Sequence, residues 1–310
     1  MKLCTFITDG TRRLGVMVGD EVVDLLAAGG APEIFADMAA LIRAGDAGLA
    51  QAAALVAATP AAARITGARL AAPLLPSTVL CAGSNYHAHN AEKAGAPLSG
   101  REPEFFVKTA DCVIGPDDGI VCDPILTGKL DCETELAIVI GKAGRHIAVE
   151  DALSHVFGYT VANDVTARDR QVRRTPEGVT WYELGRGKAF DTSLPLGPVV
   201  VTADDIPDPQ RLRLRTRING DARQQADTSD MIWSCADLVH FFSINFTLKP
   251  GMVILTGTPA GTAWSVDADL GGSWTPAPGL TQATRYCLPG DRIESEIVEI
   301  GVLRNPVVAP

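Results

Sequence analysis

Two glutamates, Glu133 and Glu135, stand one residue apart, directly before an apolar run from Leu136 to Ile140 that ends at Gly141. The run predicts a β-strand, in which residues i and i+2 project from the same face, roughly 6–7 Å apart. Two carboxylates on one apolar face repel each other, and burying them unpaired is costly. A bound Mg²⁺ or Mn²⁺ would remove that cost, because hard cations prefer oxygen ligands. The alternative is an edge strand with a solvated polar face.

A third carboxylate follows in the chain, where a β-branched run from Phe157 to Ala162 ends in Asn163 and Asp164. A carboxylate at the end of a neighbouring strand can meet the two glutamates in space. Asn-Asp pairs are also common in ordinary turns, so Asp164 alone is weaker evidence for a metal site.

A histidine and a glutamate lie ahead of these carboxylates, at His89 and Glu92. If the segment from Tyr86 onward is helical, their spacing of three makes them neighbours on one helix face. A carboxylate beside an imidazole fixes its tautomer and raises its basicity, so the pair could act as a general base. From spacing alone, an ordinary surface His–Glu pair is the alternative.

Two lysines and one loop could hold an anion near such a centre. Lys108 ends a short apolar run, and Lys188 lies in a glycine-rich stretch. A lysine beside an anionic cluster stays protonated and can hold an oxyanion, although most lysines extend to the solvent. In residues 256–261, glycines let backbone N–H groups converge on an anion, and Thr258 adds a hydroxyl. A plain turn at the end of a strand is the alternative for this loop.

Taken together, these segments resemble the fumarylacetoacetate hydrolase (FAH) family. That family carries an Asp-Tyr-Glu-x-Glu run, an Asn-Asp-x-Ser/Thr-Ala-Arg-Asp run and an Asn-Tyr-x-x-His-x-x-Glu motif. Further matches are residues 187–191, 256–261 and 301–306, and all the matches are collinear from about residue 78 to the C-terminus. Cys132 departs from the family, where Tyr is frequent, and Ser84 stands where relatives often have Arg. We expect Cys132 to point away from the metal and to change only the packing.

The resemblance implies a role for each candidate residue. The implied metal ligands are Glu133, Glu135 and Asp164, with Mg²⁺ or Mn²⁺ as the cofactor. The implied catalytic residues are His89 and Glu92, which activate water, and Lys188. The implied contacts to a small anionic 2-oxo acid substrate are Lys108, Gln171, Gly257 and Thr258.

The activity implied first is metal-dependent hydrolysis of the C–C bond of a 2,4-dioxo acid, of the acylpyruvate, fumarylpyruvate or sugar-acid type, to a 2-oxo acid and a carboxylic acid. The alternative on the same metal site is an oxaloacetate-type decarboxylase or an isomerase of an unsaturated 2-oxo dicarboxylate. A non-enzymatic metal-binding protein on this fold is a third interpretation. The joint presence of His89, Glu92 and the three carboxylates argues against it.

The elements that must position these residues indicate an α+β, mainly β protein. Residues 1–72 show short β-like runs at residues 3–7, 13–18 and 21–25, followed by alanine-rich helical segments, and predict a small α+β N-terminal domain. Residues 73–310 alternate β runs with Gly/Pro turns and have candidate helices at residues 153–157 and 235–243. The resemblance implies a mixed β-sandwich roll for this larger catalytic domain, usually as a homodimer.

Composition bounds the partners and the compartment. The net charge of −10 over 310 residues argues against nucleic acid and anionic membranes as partners. The N-terminus lacks the long apolar stretch of a signal peptide, and no run in the sequence approaches the length of a membrane span. Seven scattered cysteines suggest buried, reduced thiols rather than disulfides or a zinc site. No nucleotide-binding glycine motif occurs, and we expect a cytoplasmic protein.

Overall fold

The protein is described here from a computed structural model, which covers residues 1–92, 102–272 and 274–310. Within these ranges the chain is mainly β with short helices, so the predicted α+β, mainly β class is confirmed.

The largest element is a mixed sheet of twelve strands of the described residues. Ten of them form one hydrogen-bonded path, in the order Ile65–Thr66, Glu21–Asp24, Thr11–Val18, Lys2–Thr8, Leu194–Thr202, Val156–Asn163, Thr134–Ile140, Val253–Leu255, Val79–Gly83 and Glu104–Lys108. The two others, Arg69–Ala71 and Val113–Ile114, pair with Lys2–Thr8 and with Leu194–Thr202. Most neighbours are antiparallel, but Val253–Leu255 runs parallel to Val79–Gly83, and Val113–Ile114 runs parallel to Leu194–Thr202.

A second sheet of five described strands packs against the first. Its order is Asp221–Asp227, Arg213–Ile218, Arg292–Ile297, Gly301–Val308 and Ile120–Val121. Two short ladders complete the β structure: Leu130–Asp131 with Thr166–Ala167, and Val172–Arg174 with Thr180–Tyr182. The second ladder occupies the stretch around residues 175–183.

The helices are short apart from two. The α-helices are Pro32–Phe35, Met38–Ala58, His87–Ala91, Arg168–Gln171, Leu184–Lys188 and Cys235–Asn245. The 3₁₀ turns are Ala61–Ala63, Ala110–Cys112, Val149–His155, Ala203–Asp205, Thr228–Asp230, Ala263–Val266 and Ala268–Leu270. The helix predicted at residues 235–243 is confirmed, and Ser234 caps it in a capping box with Asp237. Residues 153–157 do not form an α-helix, because Val156 and Phe157 already begin a buried strand.

Alternation along the strand Thr134–Ile140 divides the core. Leu136, Ile138 and Ile140 point into one apolar cluster, which the five-stranded sheet and the helix Cys235–Asn245 cover. Ala137 and Val139 point into a second cluster on the opposite face, which contains residues of the helix Met38–Ala58. The strand is buried along its whole length, so any charge on it is held away from the solvent.

The predicted N-terminal strands are present as Lys2–Thr8, Thr11–Val18 and Glu21–Asp24. They do not form a separate sheet, because Lys2 and Leu3 pair with Val201 and Val200 of the strand Leu194–Thr202. The N-terminal unit is therefore built into the sheet that also carries the site. The domain boundary at residue 72 stays a prediction.

The helix Met38–Ala58 is long enough and apolar enough in composition to cross a membrane. The sequence pattern predicts no run of that length, so this helix is an exception to the prediction. Its backbone is non-helical at Gly45, where two helical pieces meet. Met38, Leu41 and Ile42 of its first piece are buried in the apolar core, which is how a helix of a globular domain packs.

Candidate active site

Glu133, Glu135 and Asp164 come together at one point of the large sheet. Each offers a carboxylate oxygen, these oxygens lie within 4.8 Å of one another, and all three residues are buried. Glu133 lies just before the strand Thr134–Ile140, and Asp164 lies just after the neighbouring strand Val156–Asn163. The two strands pair antiparallel, with Thr134 opposite Asn163. This register brings the end of one strand next to the start of the other, as the sequence predicted.

The intervening residue faces the other way. The Thr134 hydroxyl hydrogen-bonds to Ser295 and Thr216 of the five-stranded sheet, while Glu135 stays on the face with Glu133. Cys132 packs in a small apolar cluster with Cys287 and Ile120. The expectation that Cys132 affects only packing agrees with this placement.

Three cationic side chains surround the carboxylates. Lys188 Nζ donates to Glu133 Oε2 at 2.5 Å and to Asp164 Oδ2 at 2.7 Å. Lys108 Nζ donates to Asp164 Oδ1 at 2.6 Å. Arg168 Nη2 forms an ion pair with Glu133 Oε1 at 2.6 Å, so two of the three carboxylates are paired with cations on both oxygens.

This uneven pairing shifts the pKa values of Glu133 and Glu135 in opposite directions. Burial alone would raise the pKa of Glu133, but Lys188, Arg168 and His89 together hold it well below its usual range. Burial raises the pKa of Glu135 well above its usual range, and the negative charges of Asp164 and Glu133 raise it further. Burial opposes protonation of Lys188, yet Asp164 and Glu133 raise its pKa above that of a free lysine. Glu135 is therefore the carboxylate that most lacks a positive partner.

The donor set fits a hard divalent cation. Three carboxylate oxygens from buried side chains, with no sulfur or imidazole among them, match the preference of Mg²⁺ and Mn²⁺. A cation there would also offset the repulsion that raises the pKa of Glu135. Glu133, Glu135 and Asp164 are the residues that would hold it.

His89 and Glu92 form the predicted pair. The helix His87–Ala91 carries His89, and Glu92 follows at its C-terminal end. The distance between His89 Nδ1 and Glu92 Oε2 is 2.5 Å, and both side chains are buried. A carboxylate that accepts from Nδ1–H leaves Nε2 as the acceptor nitrogen of a neutral imidazole.

The loop after the strand Val253–Leu255 holds carboxylates through its backbone, but they are the carboxylates of the protein itself. Gly257 N–H donates to Glu135 Oε2 at 2.7 Å, and Gly261 N–H donates to Glu92 Oε1 at 2.6 Å. Gly261 has φ +113°, and a Cβ on it would lie 2.0 Å from the Arg223 carbonyl oxygen. Only glycine fits this close approach, so the sequence Thr-Gly-Thr-Pro-Ala-Gly positions one site carboxylate and the dyad together.

The residues predicted to contact the substrate lie at different depths. Gln171 and Thr258 line the cavity beside the carboxylates. Gln171 accepts from Arg168 at 3.0 Å, and the Thr258 hydroxyl donates to the Thr134 carbonyl at 3.0 Å. Lys108 is wholly buried behind Asp164, with a second bond to the Ser193 carbonyl. Substrate contact by these residues and by Gly257 stays a prediction.

A glycine lets two elements of the site meet. A Cβ on Gly187 would lie 2.5 Å from the Cβ of Gln171. The helix Leu184–Lys188 can therefore pack closely on Arg168–Gln171 and deliver Lys188 to the carboxylates. This is the physical reason for the Gly-Lys pair in the sequence.

Sequence reasoning missed two residues that hold the site in place. Asp131 accepts from Arg168 Nε at 2.9 Å and from the N–H groups of Ala263 and Trp264 at 3.0 and 3.1 Å. Arg168 thus bridges Asp131 and Glu133, and burial opposes its charge while these two acids raise its pKa. An aspartate two residues before Glu133 and an arginine four residues after Asp164 were the signals available in the sequence.

These groups line one cavity of about 460 Å³. Its inner wall carries the three carboxylates, Lys188 and His89, and its outer part is lined by Ser84, Glu104, Phe105 and Tyr182. The size suits a small molecule. Fold and site together define a mainly β enzyme with a buried carboxylate triad and an adjacent His–Glu pair.

The chain belongs to the fumarylacetoacetate hydrolase family, because residues 78–308 match the family described as fumarylacetoacetate (FAA) hydrolase C-terminal. The human mitochondrial oxaloacetate tautomerase FAHD2A is 41% identical over 233 residues, which are 75% of this chain and 67% of the relative. The oxaloacetate tautomerase YisK of Bacillus subtilis is 38% identical over 235 residues, which are 76% of this chain and 71% of the relative.

Solved structures resemble the whole chain. A fumarylacetoacetate hydrolase from Exiguobacterium antarcticum superposes with a TM-score of 0.78 at 36% identity and covers 100% of both chains. A maleylpyruvate hydrolase from Sphingobium sp. SYK-6, in complex with manganese(II) and pyruvate, gives a TM-score of 0.75 at 33% identity. It covers 100% of this chain and 99% of its own. The FAH-type mixed β-sandwich predicted from the motifs is confirmed.

The relatives support one part of the predicted activity better than another. Membership of an enzyme family agrees with the sequence prediction. The two curated relatives named above are tautomerases rather than hydrolases, so they favour the isomerase alternative over C–C hydrolysis.

Proposed function

We propose that this protein is a divalent-metal-dependent keto–enol tautomerase of a small 2-oxo dicarboxylic acid such as oxaloacetate. The observation that carries the proposal is the buried carboxylate triad facing the same cavity as His89, whose Nδ1 is occupied by Glu92. The names of the relatives at 41% and 38% identity support the substrate class.

Glu133, Glu135 and Asp164 would hold Mg²⁺ or Mn²⁺, which when bound acts as a Lewis acid for the carboxylate and ketone oxygens of a 2-oxo acid. Lys188 carries a positive charge beside Glu133 and Asp164. That charge stabilises negative charge as it develops on the oxygen at C2.

His89 supplies the proton transfer. Its Nε2 removes a proton from C3 of the keto form and then delivers that proton to the C2 oxygen, which gives the enol. In the reverse direction Nε2 takes the O–H proton of the enol and gives it to C3. Glu92 keeps the acceptor nitrogen on the Nε2 side and stabilises the imidazolium that forms.

C–C hydrolysis of an acylpyruvate is the second candidate, and the intact dyad is the observation that favours it. A neutral imidazole beside a carboxylate can equally take a proton from water. One solved relative is a maleylpyruvate hydrolase. The two candidates differ in whether water attacks the substrate.

One experiment separates them. Enol-oxaloacetate is mixed with the protein and Mg²⁺, and decay of the enol absorbance is followed against Mg²⁺ alone, while acylpyruvate cleavage is followed in parallel by product mass. The proposal predicts faster enol decay and little cleavage. Cleavage without enhanced tautomerisation would favour the hydrolase, and no effect on either reaction would refute both. Glu296→Gln, on the exposed face of the second sheet, is the matched control for Glu133→Gln.

We also propose that the working form is a cytoplasmic homodimer with reduced thiols. All seven cysteines are free and buried, so the subunits would associate without a disulfide. Light scattering in reducing agent tests this, and a monomer mass would contradict it.

A further inference from the structure

Trp264 forms one wall of the cavity. It lies in the 3₁₀ turn Ala263–Val266, is 4% exposed and lines the cavity beside His89 and Arg168. The stretch from residue 264 to 285 matches no motif quoted from the sequence, so its part in the site is visible only in the structure.

The indole is held from several directions. Its Nε1–H donates to the Leu270 carbonyl at 3.2 Å, and its backbone N–H donates to Asp131 Oδ2 at 3.1 Å. The Arg168 guanidinium lies 5.2 Å from its ring centroid, within the range of a cation–π contact. A ring fixed in this way acts as a rigid wall, and a rigid wall can select by size.

The wall borders the space between the carboxylates and the dyad. On one side Trp264 meets His89 edge to face, with centroids 6.2 Å apart and an interplanar angle of 64°. On the other side it covers Arg168, which is paired with Glu133. A molecule that reaches from Glu133 to His89 therefore lies alongside the indole.

We infer that Trp264 is a specificity-determining residue that limits the bulk a 2-oxo acid carries on C3. This inference rests on the proposed function, because it assumes that C1 and C2 lie at the carboxylates and C3 at His89. The site would then accept 2-oxo acids with a small group on C3, such as the carboxylate of oxaloacetate. It would exclude 2-oxo acids with a branched or aromatic group on C3.

The outer part of the cavity does not impose the same limit. It is lined by Ser84, Glu104, Phe105 and Tyr182, and Phe105 and Tyr182 are 38% and 50% exposed. Side chains in contact with solvent can yield to a larger ligand more easily than a buried indole. Selection by size is therefore expected at Trp264 rather than at the mouth.

The test compares Trp264→Ala and Trp264→Phe with the parent protein, each loaded with Mn²⁺. Binding of pyruvate and of phenylpyruvate, which adds a ring on C3, is measured by calorimetry. Tautomerisation of enol-oxaloacetate and enol-phenylpyruvate is measured in the same preparations. Trp264→Ala should shift both ratios toward phenylpyruvate by roughly tenfold or more, the scale of a steric change in an apolar pocket, and Trp264→Phe should shift them less.

A purely structural role gives a different result. If Trp264 only covers Arg168, both ligands lose affinity together, the ratios stay at the parental values, and the inference is overturned. If Trp264→Ala fails to fold, as a thermal unfolding scan would reveal, the ratios of Trp264→Phe decide, and unchanged ratios overturn it. A shifted binding ratio in a protein that does not tautomerise oxaloacetate would support the wall and refute the proposed function.

Discussion

Carboxylates meet cationic side chains in two contrasting places. At the start of the strand Thr134–Ile140 the partners are Lys188, Arg168 and Lys108, and every group is buried. On the exposed face of the five-stranded sheet, Arg217 pairs with Glu296 at 3.1 Å and Arg304 with Glu294 at 2.9 Å. The buried pairs are also the shorter ones, at 2.5–2.7 Å, but length is the smaller difference between the two sets.

The environment separates them. Arg217 and Arg304 of the exposed pairs keep 34% and 52% of their side-chain surface in the solvent, and water and salt weaken such pairs. In the buried cluster each charge depends on its neighbours, because removing one leaves the others unpaired in a medium that solvates them poorly. Burial therefore makes ion pairs hold their charges at fixed positions.

The largest effect is expected for Glu133→Gln. The change keeps the shape but removes a carboxylate that faces both Lys188 and Arg168, so turnover should fall below detection. Stability should fall by about 3–5 kcal/mol, the usual result of breaking a buried pair. Steady-state assay and urea unfolding measure the two effects. Full activity of the parent protein in excess chelator would contradict the metal site.

His89→Ala should reduce the proton-transfer reaction by roughly 10²–10⁴-fold, the range for a lost general base. The carboxylate triad does not include His89, so Mn²⁺ affinity measured by calorimetry should stay near the parental value. A variant that loses metal binding as well would show that His89 acts on the carboxylates and not on the substrate.

The effect of changing Asp291 should be intermediate between that of the buried cluster and that of the exposed pairs. The Asp291 side chain is 5% exposed, and it accepts from a half-exposed partner, Arg285, at 2.6 and 2.8 Å and from Asn219 at 2.8 Å. Bonds with Arg285 hold its pKa well below the usual value, although burial opposes the charge. Asp291→Asn should therefore cost about 1–3 kcal/mol at neutral pH.

The pH dependence of that cost follows from the sign of the shift. A carboxyl with a lowered folded-state pKa stabilises the protein above its unfolded pKa of about 3.9, and the stabilisation is lost as the pH falls below that value. Urea unfolding at pH 7 and at pH 3 should show the gap between parent and variant narrowing in acid. A gap that is constant with pH would mean that the Asp291 charge plays no part.

The smallest effect is expected for Arg217→Ala, which removes the ion pair with Glu296 on the exposed face of the five-stranded sheet. Stability should change by less than about 1 kcal/mol, and even less in high salt, because exposed pairs are weak and screened. Activity should be unchanged. A loss of stability as large as that expected for Glu133→Gln would show that the buried and the exposed pairs do not differ in strength.

Local sequence patterns predict only part of the buried site. The strand carrying Glu135 and the helix carrying His89 follow from local patterns, so their carboxylate and imidazole positions were predictable. The partners were not, because Gly257 lies 122 residues from Glu135 and Gly261 lies 169 residues from Glu92. From the local sequence, a glycine loop predicts a binding site for a ligand anion. Only the tertiary structure reveals that these N–H groups already donate to carboxylates of the protein.

The N-terminal strands give the same lesson for the fold. Each hairpin was predictable from alternation and from turn residues such as Asp9 and Gly10. The pairing of Lys2–Thr8 with Leu194–Thr202 cannot be predicted from local sequence, because each strand would have the same sequence pattern beside another partner. The predicted boundary at residue 72 therefore rests on local patterns alone, which carry no information on this pairing.

That strand pairing bears on how the chain is made. The first strand meets this partner across about 199 residues, since Lys2 pairs with Val201, so the junction between the two strands cannot form on a ribosome until nearly two thirds of the polypeptide has been synthesised. Contacts this remote in sequence slow folding, and unpaired strand edges are where nascent chains associate wrongly. Yield of native protein should therefore depend on the rate of synthesis and on chaperone capacity more than the stability of the finished sheet would suggest.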